Sequence, residues 1–411
     1  MVSAVSQAPA AGTSRKSVPH GPLVLHLMGR LDHRPEARMI SDLAVLTQRR
    51  GWRAALASMG GPLVIEAERA AVRHLQLPPI SSTSQPGLLA GWQTNVMLQN
   101  FVQRERVALV QVHDLALLPL AGRLAETRHL PVLLDITEPV ELTRAQQRWL
   151  RHPALAKACI RVPSQFMADY VRDTLQLPQT GLYQIAPGLD IQRFAPARVT
   201  PERLHRLAQL WRLPEQGTII LTATPLAPQQ GHTALLEAVA KLDRPDLFVV
   251  MVGEGHDNGY RGVIEQLIRE YKLEGRVVMP TECPDWPAAC WLANLVVALN
   301  TAPRGQALEL LTAQALGRAV IVTDCGANPD MAQSGQTAWL VAPNNTAQLQ
   351  EALVEAVGMT GPQRVELSHR ARDFVRAMFN QDDWMQAMLE LYGAMLHQPM
   401  TAYSGVRQAA S

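Results

Sequence analysis

Several large classes of protein are excluded by what this chain lacks. Its 411 residues include only four cysteines, Cys159, Cys283, Cys290 and Cys325. Their spacing contains neither a CxxC pair nor a metal-finger pattern, so they read as small buried hydrophobes in a reducing compartment. No run approaches the ~20 consecutive apolar residues that a membrane span requires. Charge of one sign is also missing, because the formal net charge of +2 is too small to imply nucleic acid or a membrane surface as partner. Residues 1–20 are rich in Ser, Ala and Pro, carry Arg15 and Lys16, and have no apolar stretch of the secretory-signal kind. The expectation there is a disordered tail on a cytoplasmic protein. Neither half of the chain has G-x-G-x-x-G after its first strand, which argues against an NAD or FAD enzyme. What remains is ordinary for a soluble globular protein with two cores: 47% hydrophobic and 18% charged residues.

The hydrophobic pattern predicts a repeated alternation of strands and helices. Pro22 to Met28 reads as a buried strand, Glu36 to Arg50 as a helix with Met39, Ile40, Leu43 and Leu46 on one face, and Trp52 to Ser58 as a second strand. Strand, helix, strand within about 40 residues opens a parallel α/β sheet. Val107 to Val112, Val132 to Leu134, Ala158 to Val162 and Leu182 to Ile185 continue it. A polar stretch from Ala195 to Gln216 reads as an inter-domain connection. A second series follows, with strands at Thr218 to Thr222, Leu247 to Val252, Arg276 to Met279, Leu295 to Leu299 and Val320 to Thr323, and helices at His232 to Leu242 and Val263 to Tyr271. Two Rossmann-like domains are the expected fold.

The residues with chemical meaning stand at the ends of these strands. Val112-His113-Asp114 is followed by Pro131 to Asp135 and then Ile136-Thr137-Glu138. Ser164 precedes Pro187-Gly188-Leu189-Asp190 and Phe194; Gly253-Glu254-Gly255 closes a strand in the second half. Ala302-Pro303-Arg304-Gly305-Gln306-Ala307-Leu308 leads into Thr312, Ala313, Ala315 and Gly317, then the strand Val320 to Asp324, and Thr337 to Val341 comes later. In this order the set resembles retaining glycosyltransferases of the GT-B fold, family 4 (glycosyl transferases group 1), over residues 22–396. The resemblance implies domains at 21–200 (acceptor) and 201–377 (nucleotide-sugar donor), a helix at 378–397 crossing back to the N-terminal domain, and a loose tail at 398–411.

It also implies a reaction and a site. A sugar leaves a nucleoside diphosphate with retention, so charge develops on the diphosphate and on the sugar ring. The family uses no metal for this, and none is expected. It uses an Arg and a Lys, whose positions hold Pro225 and Gln230, and two glutamates, whose positions hold Arg304 and Thr312. Gln230 can donate a hydrogen bond and Pro225 cannot. Arg304 either supplies a cation to an anion or is an exposed loop residue released from its role. The amides of Gly305, Gln306, Ala307 and Leu308 stand at a helix start that favours anions. Gly231, Gly253 and Glu254 complete the implied donor-binding set, and His113 with Glu138 form the implied catalytic pair. The glycine-rich first loop of the family is replaced by Leu31-Asp32-His33-Arg34-Pro35. Two readings stay open. One is a transferase using a UDP- or GDP-sugar and a glycan or lipid-linked acceptor. The other is a catalytically impaired relative that binds or scaffolds, with another glycosyltransferase as a possible partner. Trp286 and Trp291 mark either a partner surface or local packing.

Overall fold

The computed structural model of the protein describes residues 21–32, 34–79, 88–177, 181–222, 224, 226–253, 258–396 and 407–408. The first sheet contains β1 (Leu23–Leu27), β2 (Arg53–Ser58), β3 (Arg73–Gln76), β4 (Val107–Val112), β5 (Val132–Asp135), β6 (Cys159–Val162) and β7 (Leu182–Gln184). The second contains β8 (Thr218–Thr222), β9 (Leu247–Met251), β10 (Val277–Val278), β11 (Leu295–Ala298), β12 (Ala319–Thr323) and β13 (Ala338–Val341). A last strand, β14 (Arg407–Gln408), pairs antiparallel with β7; every other pairing is parallel.

The orders are β14-β7-β6-β5-β4-β1-β2-β3 and β10-β9-β8-β11-β12-β13. Each contains the doubly wound order in which the third, second, first and fourth strands lie side by side. The central strands carry almost unbroken apolar runs, such as Leu-Val-Val-Ala in β11, because helices cover both faces of a parallel sheet. In such sheets the strand order reverses at a switch point, and ligands bind outside the strand C-termini there. The switch points lie between β1 and β4 and between β8 and β11. This puts the loops after β1, β4, β8 and β11 in the place where function is expected.

Two segments depart from the sequence pattern. The connection from Ala195 to Gln216 contains a helix, Pro201–Trp211, whose Leu207 and Trp211 are buried in the core. Its Arg203 makes a bidentate pair with Asp285, both contacts 2.7 Å. The short strand β3 was hidden because it is an edge with Arg73 and Gln76 exposed, and so it lacks a buried-strand signature.

The helix Gly361–Met378 packs on the second sheet, and the chain then turns into the helix Gln381–Met395. Asn380 caps this last helix by accepting from the Asp382 amide at 2.9 Å. The helix lies against the N-terminal lobe. Trp384 packs on Gly188, Arg50 pairs with Asp382 at 2.7 Å, and the Leu189 amide donates to the Phe379 carbonyl at 2.8 Å. Its Tyr392 is fully buried, stacks obliquely on Trp52, and donates its hydroxyl to Gln111. One apolar cluster therefore runs through both lobes, containing Val24, Leu109 and Leu133 as well as Leu221, Met388 and Leu391. Among the described residues no helix is long and apolar enough to cross a membrane.

Candidate active site

On the N-terminal side the strand ends carry a buried polar network. His26 stands in β1, Gln111 in β4, Asp135 ends β5, and Arg161 lies in β6, so four adjacent strands contribute. Register pairs His26 with Gln111 and Asp135 with Arg161. His113 follows β4; its Nδ1 contacts Asp135 at 2.9 Å and its Nε2 contacts His26 at 3.1 Å, with the two imidazoles stacked. Both ring nitrogens of His113 are thus engaged, and its side chain is 3% exposed. Burial alone would raise the Asp135 carboxyl. The Arg161 guanidinium at 3.0 Å and the His113 contact outweigh it and hold Asp135 well below the usual carboxylate range. His26 moves down, first through burial and then through the neighbouring His113, which favours its neutral form.

On the C-terminal side, Gly231 caps the helix His232–Lys241 at φ +76, a left-handed conformation, and a Cβ there would collide with the Leu299 carbonyl. Glycine therefore lets the loops after β8 and β11 touch; the Thr301 amide donates to the Gln229 carbonyl at 2.8 Å. Gln230 is half-buried and its Oε1 has no protein partner. Pro225 and Glu254 lie outside the described residues, while Gly253 closes β9 with its amide donating to the Pro280 carbonyl at 3.3 Å. Beneath the loop after β11, Asn328 donates to Asn300 at 3.1 Å and to the Thr323 carbonyl at 3.0 Å, which fixes the loop base.

The helix of this loop begins at Leu308, not at Gly305, and Ala307 caps it. Thr312 is 4% exposed and returns its hydroxyl to the Leu308 carbonyl at 3.0 Å. A threonine in a helix interior satisfies itself in this way. Gln306 is fully buried, and neither its Oε1 nor its Nε2 has a protein partner.

The two walls meet at Gly305. Its amide donates to Glu138 Oε2 at 2.7 Å, and its carbonyl accepts from Ser164 Oγ at 2.8 Å. A Cβ at this position would collide with the Thr137 carbonyl and the Met167 side chain, so only glycine allows so close an approach. A third cross-lobe bond runs from the Phe166 amide to Asp330 at 3.2 Å.

Arg304 is not an exposed loop residue. It pairs closely with Glu309, reaches Glu36 of the N-terminal lobe at 3.9 Å, and its side chain is 24% exposed. The Glu309 charge raises its pKa against the effect of burial, with Glu138 and Glu36 adding to the same side. Glu138 moves to about 7. Burial is the main cause, Glu36 and Glu309 add to it, and Arg304 and the Gly305 amide oppose it. Three carboxyl groups therefore surround one guanidinium, and one of them holds a proton around neutrality. Glu138 Oε1 is buried without a partner.

Sequence reasoning did not single out Glu36, Glu309 as a partner of Arg304, or the His26–Arg161–Tyr392 network. Arg161 carried a signal, because an arginine inside the buried strand Cys159–Val162 requires a carboxylate nearby. The cross-lobe partners of Arg304 had none, since they come from distant parts of the chain.

The fold and this cleft define a GT-B glycosyltransferase architecture. Residues 37–193 match the family model described as Glycosyltransferase Family 4, and residues 207–374 match that of Glycosyl transferases group 1. The chain belongs to this family. It is 26% identical over 207 residues to the GDP-mannose-dependent alpha-(1-6)-phosphatidylinositol monomannoside mannosyltransferase of Mycolicibacterium smegmatis, covering 47% of this chain and 51% of that one. It is 28% identical over 172 residues to the phosphatidyl-myo-inositol mannosyltransferase of Mycobacterium tuberculosis, covering 41% and 42%. The matched segment thus spans about half, or less, of the curated relatives. Among solved structures, a glycosyltransferase from Rickettsia africae superimposes with a TM-score of 0.84 at 18% identity, covering 92% of this chain and 100% of that one. HepE from Anabaena, in complex with UDP and glucose, gives 0.77 at 16%, covering 91% and 100%. At such identities the structural likeness is one of fold.

Proposed function

We propose that the protein transfers a sugar from a nucleotide-sugar donor to a glycan or lipid-linked acceptor, with retention at the anomeric carbon. The supporting observation is a set of buried polar atoms without protein partners: Gln230 Oε1 and both polar atoms of Gln306 in the loops after β8 and β11, and Glu138 Oε1 in the loop after β5. Buried polar groups are normally paired, and orphans gathered at one site mark groups that a ligand satisfies. The Gly305 amide is the natural seat for a donor phosphate oxygen and is held by Glu138, so donor entry displaces that carboxyl. The unpartnered Gln306 Nε2 then donates to the diphosphate, where the basic side chains at positions 225 and 230 are absent. The His113–Asp135–Arg161 network positions the acceptor wall. The mannosyltransferases to which the chain is related use GDP-mannose by name, and HepE was solved with UDP, so both nucleotides belong in the test.

The full chain, incubated with GDP-mannose or UDP-glucose and a lipid-linked acceptor, is expected to release the nucleoside diphosphate and give a product whose anomeric configuration by NMR is that of the donor. Inversion would remove the retaining reading. A second reading, a partner that binds without turnover, is favoured by one observation: the single cation at the four key positions, Arg304, is already opposed by Glu36, Glu138 and Glu309. Saturable donor binding without release of diphosphate, even after Arg304→Glu and Thr312→Glu together with Pro225→Arg and Gln230→Lys, would select it.

A further inference from the structure

At the opposite end of the second sheet, where β11 and β12 begin, lies a cavity of about 210 Å³. Asn294 precedes β11, Arg318 precedes β12, and the helix Gly361–Met378 closes the third side with Arg364, Ser368 and Arg372. These three are four residues apart in succession, so they form a ladder along one face of the helix. Among the described residues no aspartate or glutamate lines the cavity. Elsewhere arginines find carboxylates, as Arg203 does with Asp285 and Arg370 with Glu366.

Arg318 is the unusual member. Its guanidinium lies 4.1 Å from the centre of the Trp291 ring, and its buried Nε has no partner. Burial pushes it down to about 10; Cys290 opposes this, and the Arg372 charge adds a smaller downward push. Arg364 is anchored at its back by the carbonyls of Val357 (3.0 Å) and Met359 (3.1 Å), where the helix Thr346–Gly358 ends. Trp291 is half-buried and lies as the floor under this cation.

We propose that Arg318, Arg364 and Arg372 form a binding site for a phosphate group, separate from the donor cleft. Three guanidinium groups of a half-exposed pocket, gathered with no carboxylate in its lining, repel one another, and a tetrahedral oxyanion offers the bidentate acceptors that guanidinium groups match. The volume lies below the range of about 300–1,000 Å³ typical of pockets for drug-sized ligands, so the site takes a phosphate or phosphomonoester and excludes a whole nucleotide sugar. The phosphate comes either as a free small anion or as a lipid headgroup, and the chemistry of recognition is the same.

The test is calorimetric titration of the full chain with inorganic phosphate at constant ionic strength, together with flotation on phosphatidylcholine vesicles with and without phosphatidic acid. The site predicts saturable phosphate binding that weakens roughly ten- to hundredfold in Arg318→Gln and in Arg372→Glu, and that survives Gln230→Ala in the donor cleft. Arg372 lies on a half-buried helix face, so its variant reports even if Arg318→Gln fails to fold. Vesicle binding that requires both phosphatidic acid and Arg372 identifies the lipid source, and phosphate binding without flotation identifies the free anion. Absence of saturable phosphate binding, unchanged affinity in both arginine variants, or loss in Gln230→Ala alone overturns the proposal. Donor binding is read separately, so the two sites fail independently.

Discussion

At Glu138, burial and the carboxyls of Glu36 and Glu309 oppose ionisation, while Arg304 and the Gly305 amide support it. A carboxyl whose folded pKa, about 7, lies above its unfolded value of 4.5 binds more protons in the folded state between those limits. It therefore contributes stability that is fully present below about pH 4.5 and is lost as pH rises through about 7. Glu138→Gln keeps the acceptor for Gly305 and removes the titration. Thermal melts across this window are expected to show a smaller decline with pH in Glu138→Gln than in the parent chain; identical declines would contradict the assignment. Tyr392 allows a second test at the same scale. Tyr392→Phe leaves Gln111 without its buried donor and is expected to cost about 1–3 kcal/mol in urea unfolding. No loss of stability would mean that the Gln111 contact carries no weight.

At the scale of elements, the central strands were legible in the sequence because parallel strands covered on both faces are continuous apolar runs. Leu-Val-Val-Ala at β11 and Ala-Val-Ile-Val at β12 need no tertiary information to be recognised. The edge strand β3 and the helix Pro201–Trp211 were not legible. The first is half exposed, and the second takes its buried face from Trp286–Leu292, a segment remote in sequence. The site divides in the same way. The positions of His113 just after β4 and of Gly231 and Gly305 in the loops after β8 and β11 followed from motif order. The turning of Thr312 back onto its own helix did not, because only the packed structure shows which way a hydroxyl finds its partner. Gly305 carries the prediction at this scale. Gly305→Ala places a methyl against the Thr137 carbonyl and Met167, an overpacking that typically costs about 1–3 kcal/mol. The chain can relieve it by parting the lobes, so small-angle scattering should show a larger radius of gyration for this variant; a folded variant with an unchanged radius would contradict the close fit.

At the scale of the whole molecule, two Rossmann-like lobes are joined behind by the helix Gln381–Met395 and in front by Gly305, Ser164, Glu138 and the Arg304 carboxyl cluster. The rear contact is apolar and broad. The frontal one consists of a few hydrogen bonds and one titrating acid. On the proposed reading, closure in front is the part of the structure that a donor or a proton moves, because one anion is exchanged for another on the same amide. The measurement that tests this most directly is calorimetric titration of GDP and UDP onto the full chain at about pH 6 and about pH 8, repeated with Glu138→Gln. The prediction is saturable binding of at least one nucleotide, tighter at the lower pH in the parent chain, with the pH difference reduced and the affinity at the higher pH increased in Glu138→Gln. Absence of binding of either nucleotide at either pH in either chain, or binding indifferent to both pH and Glu138, would contradict the proposal that this cleft is a nucleotide-sugar site gated by Glu138.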